Sequence, residues 1–369
     1  MIRTGARGHA ACGEDREPSL VPRMRPAKAV SAARVSPRRG PPRSAAERLR
    51  SAAALLVLAT AVVAAAPARA QSGFGDVEIA VWPVRDNVYM LVGAGGNVTV
   101  QFGDDGVLIV DTQFAELGDK LLAAVRTLSG EPIRYVINTH SHPDHVGGNE
   151  PIAAAGSTIA GGNVSGAISD AGVGATVIAH ENVLLRMSAQ QPPIPFGAWP
   201  TVTYIGERKD IFFNGEPVQV MHQPAAHTDG DSIVFFRRSD VISAGDVFST
   251  TLYPVIRPDD GGSIDGVIAA LNEIIALTVP EEKQEGGTMV IPGHGRLADE
   301  ADVVEYRDMV TIIRDRIRSM VDSGMSLAQV RAARPTRDYD GRYGAEDGIW
   351  TTEQFVEAVY RNLSGSAGG

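Results

Sequence analysis

Four potential metal ligands fall within six residues of one short stretch of the chain, "INTHSHPDHVGG". The motif His140-x-His142-x-Asp144-His145 directly follows an apolar segment that is typical of a buried strand. A loop at the end of a strand can turn several side chains toward one point, and Pro143 restricts this loop by fixing its own φ angle. A lone histidine here would most often be structural, but imidazole and carboxylate together are ligands that zinc prefers. The stretch therefore predicts a metal site.

Three further candidates lie in similar settings downstream. His227 lies in "PAAHTDGDS", Asp246 in "SAGDVFS" and His294 in "VIPGHGR". Each follows a predicted strand and is flanked by Gly or Pro. Taken singly, Asp246 is equally typical of a turn and His294 of a loop. With the motif they make seven potential ligands, which are enough for two metal ions, but spacing alone does not divide them between two sites.

The elements that must position these residues follow from hydrophobic periodicity and turn signals. Strands are predicted at 87–92, 97–102, 106–110, 133–138, 203–206, 209–213, 216–222, 232–237 and 240–244, and directly before His294. Helices are predicted at 115–129, 264–279, 299–322, 326–333 and 352–363, with a short helix near Gly148. The strands fall into two blocks, each followed by helices. This order indicates two sheets packed face to face with helices outside.

The chain resembles the metallo-β-lactamase-fold hydrolases over roughly residues 75–300. Their hallmark is H-x-H-x-D-H, then a distant His, a bridging Asp and a final His, and all seven positions match in order. The resemblance implies an α/β fold, a four-layered αββα sandwich. It also implies two zinc ions, with iron or manganese as alternatives. The ligands it implies are His140, His142 and His227 for one ion, Asp144, His145 and His294 for the other, and Asp246 bridging both.

The sequence differs from several individual sub-families of these hydrolases. Flavodiiron proteins carry a Glu where this chain has His142, and they carry a flavodoxin domain that this chain lacks. The best-known clinical β-lactamases use a Cys at the second metal, whereas Asp246 fits the glyoxalase II-like pattern better. Many acyl-homoserine lactonases of this fold place a Tyr shortly after the bridging Asp, but Phe248 and Ser249 follow here and the first Tyr is Tyr253. The segments "AAHTDGDS" and "GGSIDG" together resemble a broad group of exported bacterial hydrolases of this superfamily, and the resemblance does not name a substrate.

The chemistry expected of two such metals is hydrolysis. Two divalent ions about 3.5–4 Å apart lower the pKa of a water between them toward 7, and the resulting hydroxide attacks an acyl carbonyl. Asp144 is expected to orient this nucleophile and to carry its proton. The expected function is an exported dinuclear zinc-dependent hydrolase of an ester, thioester, lactone or amide. The alternatives are a β-lactamase proper and an iron-dependent sulfur-compound dioxygenase; a non-catalytic binding protein is disfavoured because no ligand of the set is missing.

The first 70 residues differ from the rest. Residues 1–50 carry twelve Arg or Lys and four Asp or Glu, and we expect a disordered or wrongly assigned extension, with Met24 as a later start candidate. Residues 51–70 fit a signal peptide, with an A-x-A cleavage site ending at Ala70. Its apolar run is shorter than the roughly 20 residues of a membrane span, although an uncleaved anchor is the alternative. Residues 71–369 are predicted to form a single metallo-β-lactamase-like domain with C-terminal helices.

Charge and cysteine content restrict the partners of the processed chain. Residues 71–369 carry 21 basic against 40 acidic side chains, a formal charge of −19, and such a surface repels nucleic acid. The single cysteine, Cys12, lies in the part removed, so neither a disulfide nor a thiolate ligand is expected. We therefore expect a periplasmic or secreted enzyme that acts on a small molecule and makes no membrane contact after signal cleavage. The oligomeric state is left open.

A few other residues have both a structural and a functional interpretation. Asp111 either supports the ligand loop or simply ends a strand. His180 is expected at a helix start or on the surface, and His222 in the core or behind the ligands rather than on a metal. Specificity is expected in the loops around Trp199 and Tyr253, because loops over a rigid scaffold carry most binding residues.

Overall fold

The computed structural model describes residues 73–158 and 174–365, and two β-sheets lie at the centre of this part of the chain. The predicted N-terminal extension, 1–50, and signal peptide, 51–70, lie outside the described residues. Within 73–158 and 174–365, no helix combines the length and the apolar character needed to cross a membrane.

The first sheet has seven strands arranged in sequence order. They are β1 (Ala80–Arg85), β2 (Val88–Val92), β3 (Val98–Gly103), β4 (Gly106–Val110), β5 (Ile133–Ile137), β6 (Thr176–His180) and β7 (Val202–Tyr204). Strands β1 to β4 form an antiparallel meander, and β4 to β7 are parallel. Parallel strands point their carboxyl ends to the same edge, so the loop after β5 lies at that edge.

The second sheet has five strands. They are β8 (Arg208–Phe213), β9 (Glu216–Gln223), β10 (Asp231–Phe236), β11 (Val241–Ser243) and β12 (Met289–Ile291), in the spatial order β12-β11-β10-β9-β8. The pairs from β8 to β11 are antiparallel, and β11 and β12 are parallel. The hairpin predicted between β10 and β11 from the polar sequence "RRSD" is present.

Helices cover the outer faces of both sheets. They are α1 (Gly118–Leu128), α2 (Pro143–Val146), α3 (Asn149–Ala154), α4 (Glu181–Ala189), α5 (Ile264–Leu277), α6 (Glu300–Asp322), α7 (Leu327–Ala333), α8 (Asp340–Tyr343) and α9 (Thr352–Gly365). Short 3-10 turns lie at Ala115–Leu117, Phe196–Ala198, Gly245–Val247 and Pro258–Asp260. The helix starts agree with local chemistry: Asp299 caps α6, and Ser326 caps α7 in a capping box with Gln329.

Three apolar cores separate the layers. One lies between the sheets and joins residues such as Leu108 and Ile137 of the first sheet to Val220 and Val234 of the second. A second packs α1 and α3 on the outer face of the first sheet, and a third packs α5, α6 and α9 on the outer face of the second. The resulting order of helices, sheet, sheet and helices confirms the predicted αββα sandwich.

Sequence periodicity located most elements to within about two residues, but it missed β1, α2 and α8 and gave no bounds for β6 and α4. Strand β1 contains Pro83 and lacks clear alternation, and its pairing with β2 shifts register between Pro83 and Arg85. Proline is tolerated there because β1 is an edge strand, where one row of amide groups needs no partner strand. Helix α8 has four residues, too few for periodicity to reveal.

Candidate metal centre

The seven candidate ligands meet at one edge of the sandwich, because each follows the carboxyl end of a strand. The motif follows β5, and the three downstream candidates follow β9, β11 and β12. Two groups have their potential ligand atoms within 4.8 Å of one another. The first group is His140, His142, His227 and Asp246, and the second group is Asp144, His145 and His294. The structure therefore brings together every residue that the sequence singled out as a ligand.

Asp246 lies between the two groups. Its Oδ2 is 3.8 Å from His140 Nε2 and 3.6 Å from His227 Nε2. Its Oδ1 is 3.1 Å from His145 Nε2 and 3.4 Å from His294 Nε2. One carboxylate oxygen thus faces each group, and this is the arrangement expected of a carboxylate between two cations.

The outer ring nitrogens of His140 and His145 are held by neighbouring side chains. His140 Nδ1 is 3.0 Å from Thr139 Oγ1, and His145 Nδ1 is 2.7 Å from Asp111 Oδ2. Asp111 also accepts hydrogen bonds from the Thr139 amide at 2.8 Å and hydroxyl at 2.6 Å. Of the two interpretations of Asp111, the structure therefore favours support of the ligand loop. Such contacts leave each Nε2 directed at the cluster.

His142 and His227 are oriented by a different segment, residues 255–262. His227 Nδ1 contacts the carbonyl oxygen of Val255, and His142 Nε2 is 3.8 Å from Asp260 Oδ2. Their inner nitrogens, His142 Nδ1 and His227 Nε2, are 2.8 Å apart. Two imidazole lone pairs repel at this distance unless a proton or a metal ion lies near both.

Three buried atoms at the centre test whether this site fits a metal. His140 Nε2, His145 Nε2 and Asp246 Oδ1 have no hydrogen-bond partner among the residues that the structure describes. Each buried polar group left unpaired costs about 1–3 kcal/mol. Divalent cations in the two groups would satisfy these atoms, and a nitrogen and oxygen donor set without sulfur suits zinc, iron or manganese. The residues present therefore fit a metal.

Electrostatics in the second group favour positive charge. Burial alone would lower the pKa of His294, but the charge of Asp246 and a contact with Asp144 outweigh it and raise the pKa to about 9. In His145 burial again lowers the pKa, but the charges and contacts of Asp246 and Asp111 together outweigh it, and the pKa lies well above the ordinary value. The pKa of Asp246 is held well below its ordinary range: burial opposes this, but the neighbouring histidine charges exceed burial. In the metal-free protein this group therefore holds protons that a metal ion would displace.

Two histidines of the first group are in the opposite protonation state. Burial, the largest effect, lowers the pKa of His227 to about 4, and it also holds the pKa of His140 well below its ordinary value. Both rings are therefore neutral at pH 7, which is the form that binds a metal.

Two residues that the sequence did not single out complete the site. Asn97, after β2, donates from Nδ2 to the carbonyl oxygens of Pro292 and Gly295 at 2.9 and 3.0 Å, on both sides of His294. Gly96 lies so close to His145 that an added Cβ would overlap the imidazole ring. The sequence "GAGGN" was an available signal, because clustered glycines often mark a close approach of the backbone to another group.

A model of the metallo-beta-lactamase superfamily matches residues 91–294, a span that contains all seven candidate ligands. The chain belongs to the metallo-beta-lactamase superfamily. Its members are metal-dependent hydrolases that act on small molecules, and this chain carries a His/Asp metal-binding cluster of the kind they need.

Solved structures similar to this superfamily member include two of a sec-alkylsulfatase. The inverting sec-alkylsulfatase Pisa1 from Pseudomonas sp. is 17% identical, with a TM-score of 0.53, and a double mutant of the same enzyme is 17% identical, with a TM-score of 0.55. Each match covers 77% of this chain, which spans 50% of the sulfatase. A metallo-beta-lactamase from Pontibacter korlensis is 16% identical, with a TM-score of 0.48, over 63% of this chain and 99% of that one. At such identities the similarity concerns the fold alone.

His180 and His222 lie away from the metal-binding groups of this superfamily member. His180 ends β6, and its Nδ1 accepts a hydrogen bond from the amide of Asn182, as predicted for a histidine at a helix start. It is buried rather than on the surface, and its ring stacks on that of His222 with 3.6 Å between centroids. His222 donates from Nε2 to the carbonyl oxygen of Asp229 at 2.8 Å, so it lies behind the ligand loop, as expected.

The loop after Asp246 is anchored rather than open. The side chain of Tyr253 is buried, and its hydroxyl donates to the carbonyl of Thr336 and to Asp340 at 3.1 and 3.0 Å. Its ring stacks on Phe355 of α9, with 4.7 Å between centroids. The loop around Tyr253 was predicted to carry specificity; within it, the Tyr253 side chain joins the loop to the C-terminal helices.

The loop around Trp199 keeps an exposed face. Trp199 is half-buried and donates from Nε1 to the carbonyl of Ile194 in its own loop at 3.2 Å. Phe196 beside it is 81% exposed. This loop retains apolar surface for contact with another molecule.

Proposed function

We propose that the chain is an exported, dinuclear zinc-dependent hydrolase that cleaves an ester, thioester, lactone or amide bond. The first ion would be held by His140, His142 and His227, and the second by Asp144, His145 and His294. Asp246 would contact both. The proposal also assigns the enzyme to the periplasm or the extracellular space, which the leader sequence of residues 51–70 supports.

The position of Asp246 carries the proposal. Its two oxygens face different groups of imidazoles, at 3.6–3.8 Å on one side and 3.1–3.4 Å on the other. An ion pair between Asp246 and a single protonated histidine would account for only one of these two groups of imidazoles. Two donor groups on opposite sides of one carboxylate are the arrangement that two divalent ions require.

The side chain of Asp144 would supply the proton transfer that hydrolysis needs. Bound divalent ions supply a nucleophile at neutral pH and stabilise negative charge that develops on the acyl oxygen. Asp144 Oδ2 is 3.3 Å from His294 Nε2, and part of its carboxylate faces solvent. Although burial opposes it, the contact with His294 lowers the pKa of Asp144, so the group is ionised at pH 7. Asp144 would accept a hydrogen bond from the attacking water and pass its proton to the leaving group.

Metal analysis of the purified chain tests the first part of the proposal. We expect close to two equivalents of zinc and loss of hydrolysis in His142→Ala. A matched control is Arg208→Ala, which removes an exposed side chain that belongs to neither group and should keep both metals. Normal hydrolysis by His142→Ala would defeat the proposal. Iron as the native metal, with oxidation of a sulfur compound, would favour the dioxygenase alternative.

A substrate panel on metal-loaded protein tests the second part. The panel contains β-lactams, lactones, glutathione thioesters, simple esters and amides. A sec-alkyl sulfate is added because a sec-alkylsulfatase shares the fold. Turnover of a chromogenic cephalosporin at an ordinary rate would support the β-lactamase alternative, and none would remove it. Turnover of the sulfate alone would contradict the acyl substrate class while leaving the metal centre intact.

A further inference from the structure

Arg186 joins the two loops that carry or contact the histidines of the first group. On α4, it donates from Nε and Nη2 to the two oxygens of Asp229, at 3.0 and 2.8 Å. Its Nη1 donates to Asp260 Oδ1 at 2.7 Å and to the carbonyl of Asp259 at 3.2 Å. The guanidinium therefore ties Asp229, two residues after His227, to the turn that carries Asp260.

The 255–262 segment is the element that Arg186 holds in place. The carbonyl of Val255 accepts from His227 Nδ1, and Asp260 Oδ2 lies 3.8 Å from His142 Nε2. When one imidazole nitrogen binds a metal, the contact of the other nitrogen fixes the ring orientation. This segment thus supplies the outer contact for two of the three histidines of the first group.

The segment is packed closely against the His227 loop. The amide of Asp229 donates to the carbonyl of Asp260 at 2.8 Å. Gly261 has φ +82°, and a Cβ there would lie 2.7 Å from Asp229 Cβ, whereas a Cβ at Gly262 would overlap the carbonyl oxygen of His227. Because no space separates the two loops, a displacement of the segment would be transmitted to the ligand rings.

Charge supports the same contacts. Asp260 Oδ1 accepts from the Arg186 guanidinium at 2.7 Å, and its other oxygen, Oδ2, faces His142 Nε2 at 3.8 Å. The carboxylate therefore lies between the arginine and the outer nitrogen of His142. An acceptor of this kind favours the tautomer whose inner nitrogen is free to bind a metal.

We propose that Arg186 is a positioning residue, whose guanidinium holds the 255–262 segment so that His142 and His227 are oriented for the first metal ion. The inference rests on the proposed two-metal function. Its two ion pairs are partly exposed, with Arg186 at 29%, so they contribute little to folding by themselves. The arginine should therefore affect metal binding more than overall stability.

Zinc titration of metal-free protein in competition with a chromophoric chelator tests this inference. For Arg186→Ala we expect the dissociation constant of one zinc ion to rise about tenfold, the lower end of the 10–100-fold that is typical when a direct outer partner of a ligand is lost, because Arg186 acts on the histidines through Asp229 and Asp260. The dissociation constant of the other zinc ion should stay unchanged. The variants His142→Ala and His294→Ala identify which ion belongs to the first group and which to the second.

Three further variants separate positioning from charge and from general effects. Arg208→Ala removes an arginine that pairs with Asp210 at 2.8 Å on an exposed edge strand, and both zinc constants should match the wild type. Arg186→Lys keeps the charge but cannot bind two carboxylates through a planar fork, so it should behave like Arg186→Ala. When Arg186→Ala is added to an Asp260→Asn variant, the zinc dissociation constants should change little further, because Arg186 and Asp260 act through the same series of contacts.

Three results would overturn the inference. The first is an Arg186→Ala protein with both zinc dissociation constants at wild-type values, and the second is full recovery by Arg186→Lys. The third is an equal loss of both ions with a lower melting temperature of the metal-free protein, which would indicate a structural role. A wild-type chain that binds fewer than two ions would instead overturn the two-metal function, so the wild-type titration distinguishes the two failures.

Discussion

Asp246 Oδ1 lies 3.1 Å from His145 Nε2, and both atoms are buried with no hydrogen-bond partner among the described residues. The negative charge of Asp246 raises the pKa of His145 although burial opposes it. A proton and a metal ion therefore compete for the same nitrogen. Metal affinity should consequently increase with pH, because binding displaces protons from the second group.

The metal-free protein is expected to lose stability above neutral pH. Burial would lower the pKa of His294, but the charge of Asp246 and the contacts with Asp144 and Asp246 together raise it to about 9, above its value in the unfolded chain. A base with a raised folded-state pKa stabilises the fold fully below about pH 6.5, and this contribution is lost as pH rises through about 9. The melting temperature of metal-free protein should therefore fall between these pH values, as followed by circular dichroism.

Two controls isolate this effect. The zinc-loaded protein should not show the fall, because its imidazoles hold a metal ion in place of protons. In metal-free His294→Gln the fall should be much smaller. A metal-free wild type whose melting temperature is flat from pH 6.5 to 9 would contradict the assigned electrostatics.

Asp246→Asn should remove the contact that we propose two metal ions share. The amide keeps the size of the carboxylate but loses its charge, so affinity should decrease at both groups. Hydrolysis should fall by more than the roughly 10–100-fold that loss of an outer partner costs. Metal content by mass spectrometry and hydrolysis rates give the two measurements. Asp308→Asn, at an exposed carboxylate paired with Arg307, is the control and should retain both metals; loss of one ion alone from Asp246→Asn would show that Asp246 does not bridge.

The sequence was sufficient to predict the layers and the candidate ligands for different physical reasons. Alternating and helical apolar periods report which face of an element is buried, so they locate strands and helices without knowledge of the neighbours. The candidate ligands were recognisable because His140, His142 and His145 are concentrated in one strand-end loop. The downstream candidates, His227 and His294, could be added because each follows a strand.

The supporting contacts were not predictable in the same way. Arg186 and Asp260 are 74 residues apart, and neither carries a local signal that it faces the other. Asn97 contacts the His294 loop across almost 200 residues of sequence. Tyr253 was expected in a substrate loop, but its surroundings come from helices more than 80 residues later in the chain. Contacts of this kind depend on how the two sheets pack, which periodicity does not encode.

Asp111→Ala should lower both the free energy of unfolding and the zinc affinity of the second group. The carboxylate is buried, contacts His145 Nδ1 at 2.7 Å and accepts two hydrogen bonds from Thr139. Removing one partner of a buried ionic contact costs about 3–5 kcal/mol, so the free energy of unfolding measured in urea should decrease by this amount. Zinc affinity of the second group should decrease about 10–100-fold. Asp210→Ala, at an exposed carboxylate, should change neither quantity; an unaltered zinc titration in Asp111→Ala would contradict the role assigned to Asp111.

Gly96→Ala tests whether close backbone packing helps to hold the second metal ion. An added Cβ would overlap the His145 ring, which is fixed from behind by Asp111 and cannot move away without breaking that contact. We expect the free energy of unfolding to decrease by about 1–3 kcal/mol, as is typical of overpacking, together with weaker zinc binding at the second group. Gly341→Ala is the matched control, because a Cβ there meets no described atom within 4 Å. Wild-type zinc constants in Gly96→Ala would show that the loop before β3 can shift without disturbing His145.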